Sequence, residues 1–299
     1  SEGLAVMECA QAIGLGMVPP ERRRIREAST FGVGQMILAA LDGGAREFLF
    51  GIGGSATNDG GAGMLRALGV RFLDAEGREL DGSPASLARL DSIDASGLDP
   101  RAAAATFKIA CDVDNPLLGE RGASAVFGPQ KGAAPEDVEF LDSVLERWAE
   151  ASGRRELARR PGAGAAGGLG FALLAFLGAA LEPGVELVSR AVGLAEAVTG
   201  AELVLTGEGS VDAQTLAGKT PAGVARTAAA RGVPTVILAG RVKPDADVLL
   251  STGCVAILSV SQGQAQSLAQ MLRAAPVNTE RAAATVMRLW TRRPGPAAI

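Results

Sequence analysis

The chain has 299 residues, of which 47% are hydrophobic and 21% are charged, and its formal net charge at pH 7 is −4. This composition is that of a globular protein with one large core or two smaller ones, and the acidic balance excludes the basic field that nucleic-acid binding requires. Histidine is absent, so acid–base or metal chemistry must fall to carboxylates, lysines and backbone dipoles.

The cysteine spacing and the apolar segments indicate the cellular environment. Cys9, Cys111 and Cys254 are far apart and lack zinc-ligand spacing, so we expect reduced thiols in a cytoplasm. The N-terminal sequence lacks the basic and apolar regions of a signal peptide. In the uncharged window 161–181, the apolar part covers only 170–181, which is too short to span a bilayer. We therefore predict a cytoplasmic protein without a membrane or nucleic-acid partner.

Strand-like runs alternate with helical patterns along the chain, and the first residues already resemble a strand. Further strands are predicted at 48–50, 70–73, 106–113, 202–206, 235–240 and 254–260. Helices are predicted at 32–42, 60–68, 136–151, 169–180, 190–198, 221–230 and 279–291. This alternation predicts an α/β fold with a mostly parallel sheet. A loop-rich stretch before residue 200 places a domain boundary there.

The first glycine-rich segment, GIGGSATNDGGAGMLRALG (51–69), lies between a predicted strand and a predicted helix. Backbone N–H groups in that context can bind an anion. Gly51, Gly53 and Ala56 also fit the dinucleotide pattern G-x-G-x-x-G/A, and Asp74 ends the next strand about 20 residues further on. A nicotinamide-dependent oxidoreductase is therefore one hypothesis.

Two other interpretations of this segment remain open. Ser55, Asn58 and Asp59 put three polar side chains in the turn, whereas a dinucleotide turn needs mainly small residues. These side chains favour direct contact with a polar ligand. Alternatively, the glycines serve only close helix packing.

A pair of acids follows the strand at 106–113. In ACDVDNPL (110–117), Asp112 and Asp114 lie two residues apart and share a face if the strand persists. Such a pair suits Mg²⁺, which takes one or two carboxylates together with phosphate oxygens and water. A solvated Asx turn before Pro116 is the alternative.

The stretch LVLTGEGSVDAQTLAGKT (203–220) combines acids, glycines and a lysine. Glu208 and Asp212 flank a glycine-rich turn, and Lys219 precedes a helix that Pro221 helps to begin. The chain has only four lysines, and Lys131 also lies in a glycine-rich stretch, which indicates ammonium groups placed at sites. Glycine-rich loops with acids and lysines fit phosphoryl transfer, in which catalysis is mostly positioning and charge neutralisation.

A further glycine-rich stretch, PGAGAAGGLG (161–170), contains a literal GxGxxG but follows RRELARR instead of a strand, so it gives little support to dinucleotide binding.

Four stretches in this order resemble the type I glycerate kinase family: GIGGSATNDGGAGMLRALG, ACDVDNPLLGERGASAVFGPQKGA, PGAGAAGGLG and LTGEGSVDAQTLAGKTPAGVA. The resemblance implies a two-domain α/β enzyme. One domain has a Rossmann-like or flavodoxin-like parallel sheet made from both chain ends, the other is a mixed α/β domain inserted centrally, and the substrate cleft lies between them. On this basis we assign 1–200 to the inserted domain and 201–299 to the C-terminal part of the other.

The resemblance also implies a function: phosphorylation of D-glycerate by ATP and Mg²⁺ to 2-phosphoglycerate or 3-phosphoglycerate, in glycolate and glyoxylate metabolism. A homodimer is compatible with it. We expect catalytic roles for Asp112, Asp212 and Lys219, and metal binding by Asp112 and Asp114. The residues expected to bind substrate or phosphate are Gly53, Gly54, Ser55, Asn58, Asp59, Asn115, Gln130, Lys131 and Glu208.

The sequence departs from the family pattern in two places. Family members begin with a strand and a PDSFKGS-type loop, and nothing like that loop occurs in this sequence. The missing N-terminal segment makes an inactive kinase fragment a further hypothesis. Ser210 stands where many relatives carry a basic residue, from which we expect a tuning effect.

Overall fold

The computed structural model describes residues 3–261 and 267–292. The chain forms two compact units, Ser1–Leu187 and Val188–Ile299. Each unit is described by itself. Within the described residues, no helix combines the length and the apolar character needed to cross a membrane.

The first unit is built on a parallel sheet. Four strands form it in the order β1-β2-β5-β6, and β3 and β4 form a separate antiparallel pair. The strands are β1 (Leu4–Glu8), β2 (Glu47–Gly51), β3 (Arg71–Leu73), β4 (Ser92–Asp94), β5 (Thr106–Ala110) and β6 (Ala180–Glu182).

Helices pack around this sheet. They are α1 (Ala10–Ile13), α2 (Phe31–Asp42), α3 (Ala62–Ala67), α4 (Pro84–Leu87), α5 (Pro100–Ala104), α6 (Ala123–Phe127), α7 (Pro135–Ala151) and α8 (Ala165–Leu177), followed by α9 (Gly184–Ala191), which spans the division between the units. A 3₁₀ turn, Pro129–Lys131, follows α6.

The aromatic residues of the first unit explain part of its glycine pattern. Phe48 and Phe107 stack between β2 and β5 with ring centroids 4.6 Å apart. Trp148 of α7 is fully buried, and its Nε1 donates to the carbonyl of Gly60 at 2.9 Å. Gly60 has φ +64°, and a Cβ there would lie 2.3 Å from the Trp148 ring. This glycine serves close packing, as one interpretation of the motif predicted.

The second unit has a three-stranded parallel sheet with the order β7-β8-β9. The strands are β7 (Val204–Val211), β8 (Thr235–Val242) and β9 (Cys254–Ser259), and the helices are α10 (Leu194–Ala197), α11 (Thr220–Ala229) and α12 (Leu268–Thr291). The central strand β8 is buried on both faces: Ile237 packs in the cluster that contains Ala225 of α11, whereas Val236 packs in the cluster that contains Val286 of α12. The sequence of a strand that is covered on both faces is almost continuously apolar, as TVILA in β8 is.

The α/β class with mostly parallel sheets is confirmed, and each predicted strand has a counterpart. The main differences concern boundaries. β5 ends at Ala110, before the predicted limit of 113, and α12 begins at Leu268, well before 279. The sequence reading missed the three-residue strands β4 and β6, because so short a run carries little periodicity. The assignment of 1–200 and 201–299 to an inserted and a C-terminal domain stays a prediction.

Candidate active site

A cavity of about 490 Å³ opens in the first unit where β2 and β5 end. Because the strands are parallel, the loops that follow them meet at the same sheet edge, where α/β folds commonly bind ligands. Five segments contribute side chains or backbone. The lining residues are Leu15, Gly51, Ile52, Gly53, Gly54, Ser55, Ala110, Cys111, Asp112, Val113, Phe127, Gln130, Lys131, Ala165 and Ala166.

The loop after β2 forms one wall of the cavity. The segment after β1 holds this loop, since Leu15 donates to the carbonyl of Gly54 and Ala56 donates to that of Ile13, both at 2.7 Å. A Cβ at Gly53 would meet no atom within 4 Å. Within the described residues, the backbone N–H groups of Gly53, Gly54 and Ser55 donate no hydrogen bond. Consecutive free N–H groups at a cavity wall suit the binding of an anion.

Lys131 lies at the same wall and is only 2% exposed. The turn after α6 directs its Nζ to Ser55 Oγ at 3.0 Å and to the carbonyl of Thr57 at 2.7 Å. An ammonium group has three donors, so a third N–H remains for a ligand. Burial lowers the pKa of Lys131 to about 8, because it penalises the charged form. At pH 7 the side chain is still mostly cationic.

Asp112 is the acid that reaches the cavity. It lies two residues beyond the end of β5, and its Oδ1 accepts a hydrogen bond from the N–H of Gly184 at 2.7 Å. This bond fixes the carboxylate at the start of α9. Asp112 Oδ2 forms no hydrogen bond within the described residues, so it can accept a proton or a hydrogen bond from a substrate.

Asp114 and Asn115 lie outside the cavity lining. Asp114 forms an exposed ion pair with Arg121 at 3.0 Å, and Asn115 donates to the carbonyl of Arg121 at 2.8 Å. Because β5 ends at Ala110, strand alternation does not place Asp112 and Asp114 on a common strand face. Among the residues described, no group of three or more metal-binding side chains is present.

Asn58 and Asp59 were expected to line the cleft, but both are completely buried and neither lines the cavity. Asp59 accepts hydrogen bonds from the N–H and hydroxyl of Thr30, both at 2.7 Å, and from the N–H groups of Gly61 and Gly63. Burial raises the pKa of Asp59, and these hydrogen bonds oppose the increase. The carboxylate therefore joins the starts of α2 and α3 as a structural group. Asn58 donates to Ser124 Oγ at 3.0 Å.

The stretch 161–170 packs against the loop after β2, called the glycine loop below. Ala166, Gly167 and Gly168 have positive φ angles at the beginning of α8, and Ala166 lines the cavity. The N–H of Gly60 donates to the carbonyl of Gly167 at 3.0 Å, and a Cβ on Gly167 would lie 2.0 Å from the carbonyl oxygen of Thr57. A left-handed alanine is uncommon and marks strain of the kind found at functional sites. The sequence analysis did not predict that this stretch lines a site, because its GxGxxG does not follow a strand, as a dinucleotide-binding GxGxxG does.

Three further predicted residues belong to the second unit. Glu208 lies on β7, Asp212 directly follows it, and Lys219 is the residue immediately before α11. Asp212 Oδ1 lies 4.0 Å from Lys219 Nζ, and its Oδ2 lies 2.7 Å from the Nζ of Lys243. The hydrogen bond from Lys243 lowers the pKa of Asp212, burial opposes this, and the charges of both lysines lower it further.

The geometry disfavours dinucleotide binding at the first glycine loop. The strand that follows α3 is β3, which pairs antiparallel with β4 and is not part of the sheet that contains β2. Asp74, which would hold a ribose, instead accepts hydrogen bonds from the N–H groups of Glu76 and Arg78 and from the Arg78 guanidinium. A βαβ unit with a free acid is therefore absent at this place in the described structure.

Comparison with known proteins gives concordant results. The model of the glycerate kinase family matches residues 1–291. The chain is 46% identical to glycerate 2-kinase of Escherichia coli over 86% of this chain and 68% of that protein, and 43% identical to glycerate kinase of Haemophilus influenzae over 95% and 76%. A solved structure described as a glycerate kinase 2, from Salmonella typhimurium LT2, is similar with a TM-score of 0.83 at 43% identity, over 97% of this chain and 77% of that one.

Proposed function

Because the chain belongs to the glycerate kinase family, we propose that it transfers the terminal phosphoryl group of ATP to a hydroxyl group of D-glycerate. The observation that carries this proposal is the position of Lys131: a buried ammonium group beneath a glycine-rich loop, in a cavity that also contains Asp112. A cation, free backbone N–H groups and a carboxylate match a small hydroxy acid, which presents a carboxylate and hydroxyl groups.

Glycerate binding is proposed at the wall formed by the glycine loop. Its carboxylate would accept hydrogen bonds from the third N–H of Lys131 and from the N–H groups of Gly53 and Gly54. Charge-assisted hydrogen bonds of this kind are stronger than neutral ones. The side chain of Gln130, which also lines the cavity, adds a polar contact.

Asp112 is proposed to orient and deprotonate the reacting hydroxyl. The glycerate oxygen forms a bond to the terminal phosphorus, the bond from that phosphorus to the bridging oxygen of ATP breaks, and ADP leaves with the bond electrons. The hydroxyl proton passes to Asp112 Oδ2. The chain has no histidine, and Asp112 is the carboxylate among the residues that line the cavity, so we propose it as the general base.

In the second unit, Lys219, Asp212 and Glu208 are proposed to serve the phosphate donor. Lys219 is 42% exposed at the start of α11. An ammonium group beside a helix N-terminus favours phosphate oxygens. Asp212 and Glu208 would orient the bound nucleotide.

The proposed nucleotide is bound with Mg²⁺, which neutralises phosphate charge during transfer. The donor set fits this ion in part. Asp112 presents one exposed carboxylate at the cavity, whereas Asp114 is paired with Arg121 outside the lining. One carboxylate together with phosphate oxygens and water satisfies magnesium, so we propose Asp112, without Asp114, as its protein ligand, through Oδ1, which leaves Oδ2 to accept the hydroxyl proton.

The proposed product is 2-phosphoglycerate, since the similar Escherichia coli protein is named glycerate 2-kinase. We further propose that the enzyme acts in a cytoplasm, in glycolate and glyoxylate metabolism. Cys9, Cys111 and Cys254 are free thiols, which fits a reducing compartment.

An assay of ADP release with D-glycerate and MgATP tests the proposal, on this chain and on the complete product of its gene. We expect release that depends on glycerate, and phosphorus NMR should then identify 2-phosphoglycerate. Omission of glycerate measures background ATP hydrolysis. Absence of glycerate-dependent release from both proteins would refute the function, and 3-phosphoglycerate would refute the proposed regiochemistry.

A further inference from the structure

A lysine that none of the glycine-rich motifs includes lies against the Asp212 carboxylate. β7 and β8 are parallel, and their register ends with Val211 opposite Val242. The N–H of Lys243 then donates to the carbonyl of Val211 at 3.0 Å, so that Lys243 continues beside Asp212. Its Nζ donates to Asp212 Oδ2 at 2.7 Å.

The two oxygens of Asp212 have different environments. The side chain is only 10% exposed, and Oδ2 is bonded to Lys243. Oδ1 is buried and has no hydrogen-bond partner within the described residues. Lys219 Nζ lies 4.0 Å from it, beyond hydrogen-bond distance. Lys243 is therefore the lysine that is hydrogen-bonded to this carboxylate, whereas Lys219 lies near it without a hydrogen bond.

The three charges do not cancel. Two ammonium groups face one carboxylate, and both lysine side chains are partly exposed, at 42% and 47%. Because the Asp212 carboxylate is hydrogen-bonded to Lys243, the N–H groups of Lys219 remain able to bind another anion. Without Lys243, the buried carboxylate would lose its hydrogen-bonded partner, and leaving it unpaired is costly. A movement of about 1 Å would bring the flexible Lys219 side chain into hydrogen-bond distance and compensate that loss.

We propose that Lys243 is a positioning residue for the phosphate donor: it holds Asp212 so that Lys219 remains free to contact the phosphate groups of a nucleoside triphosphate. The inference rests on the proposed function for the identity of that ligand. It assigns Lys243 an action through Asp212 and Lys219, without direct contact with phosphate.

The test measures ATP binding by titration and separates kcat from the KM for ATP. In Lys243→Met we expect the dissociation constant and KM for ATP to rise at least about tenfold, while kcat at saturating ATP changes less than about threefold. Lys243→Arg, which can still bond Asp212, should bind ATP within about threefold of wild type. Unchanged ATP affinity in Lys243→Met would overturn the proposal.

A double substitution separates positioning from direct contact. Asp212→Asn removes the carboxylate that could form an ion pair with Lys219. In this background, adding Lys243→Met should therefore change ATP affinity less than about threefold relative to Asp212→Asn alone. A tenfold loss in both backgrounds would show that Lys243 binds phosphate itself and would overturn the proposal. This comparison also leaves no unpaired buried carboxylate, so it remains decisive if Lys243→Met alone fails to fold.

Lys108→Met is the matched control. Lys108 is also a partly exposed strand lysine paired with a carboxylate, that of Glu47, and its loss should leave ATP binding unchanged. Thermal unfolding of every variant reports on folding. If wild type binds ATP in a Lys243-dependent manner but releases no ADP with glycerate, the positioning role stands and the proposed function falls. Failure of wild type to bind ATP would overturn both.

Discussion

Lys131 Nζ lies 3.0 Å from the hydroxyl oxygen of Ser55, although the two residues are 76 positions apart in the chain. The contact joins the turn after α6 to the glycine loop after β2, and Lys131 is almost completely buried there. Burial of an ammonium group costs free energy unless a partner compensates it. An anionic ligand in the cavity would be such a partner, which makes Lys131 the most informative residue to change.

Lys131→Met should weaken catalysis strongly. We expect kcat/KM for glycerate to fall roughly 30- to 1,000-fold, which corresponds to about 2–4 kcal/mol for the loss of one partner of a buried charge pair. Steady-state kinetics with varied glycerate measures this, and Lys108→Met, a substitution on β5 outside the cavity lining, is the control. An effect below about threefold would remove Lys131 from the proposed site.

The pH profile should report the same group. Because the pKa of Lys131 in the unliganded protein is lowered to about 8, kcat/KM for glycerate should decline as pH rises through about 8, where the cation loses its proton. The profile of kcat should decline at higher pH, since a bound anion stabilises the ammonium form. A decline in kcat/KM that persists unchanged in any residual activity of Lys131→Met would assign it to another group.

Lys131 should also affect the pH dependence of stability. Its pKa is lowered from 10.5 to about 8 by folding, so between these values the unfolded chain binds a proton that the native protein does not. The contribution of Lys131 to the free energy of unfolding therefore rises as pH increases from 8 to 10.5 and is constant below 8. Urea unfolding of wild type and Lys131→Met should show this difference; parallel pH curves would contradict it.

Asp112→Asn and Asp114→Asn form a matched pair. The first removes the proposed base from the cavity, so we expect kcat to fall about 10²- to 10⁴-fold. The second removes a carboxylate that is 74% exposed and paired with Arg121, so activity should stay within about threefold of wild type. Equal losses in the two variants would restore the paired-acid metal site that the sequence predicted.

Thr30→Val should destabilise the protein without a specific effect on glycerate binding. It removes the hydroxyl that donates to Asp59 and accepts from the N–H of Met64 at 2.8 Å. Leaving buried groups without partners costs about 1–3 kcal/mol. Urea unfolding measures the loss, and Thr30→Ser, which keeps the hydroxyl, is the control. An increase in the KM for glycerate with unchanged stability would instead support substrate contact through Asp59.

The wall from 161 to 170 permits a paired test of backbone strain. Gly167→Ala should destabilise by roughly 3 kcal/mol or prevent folding, because φ is +69° and the Cβ would collide with the Thr57 carbonyl oxygen. Ala166→Gly should be tolerated, since glycine relieves the φ of +54°. Thermal unfolding checks both; a well-folded, fully stable Gly167→Ala protein would contradict the described backbone.

The sequence by itself determined the α/β class, the order of the major elements and the segments that contain the cavity, since apolar periodicity and glycine position are local properties. It also indicated Lys131, through its rarity and its glycine-rich context. Local pattern could not distinguish Ser55, which faces the cavity, from Asp59, which is buried four positions later and bonded to Thr30. Nor could it separate Asp112 from Asp114, because that depended on where β5 ends.

The tertiary structure decided these assignments through contacts between segments far apart in the chain. Parallel pairing brought the loops after β2 and β5 to one edge, and the register of β7 with β8 placed Lys243 beside Asp212. A motif states which side chains are available near a turn. Whether a polar side chain meets a ligand or completes the fold depends on which distant backbone and side-chain groups satisfy its hydrogen bonds first.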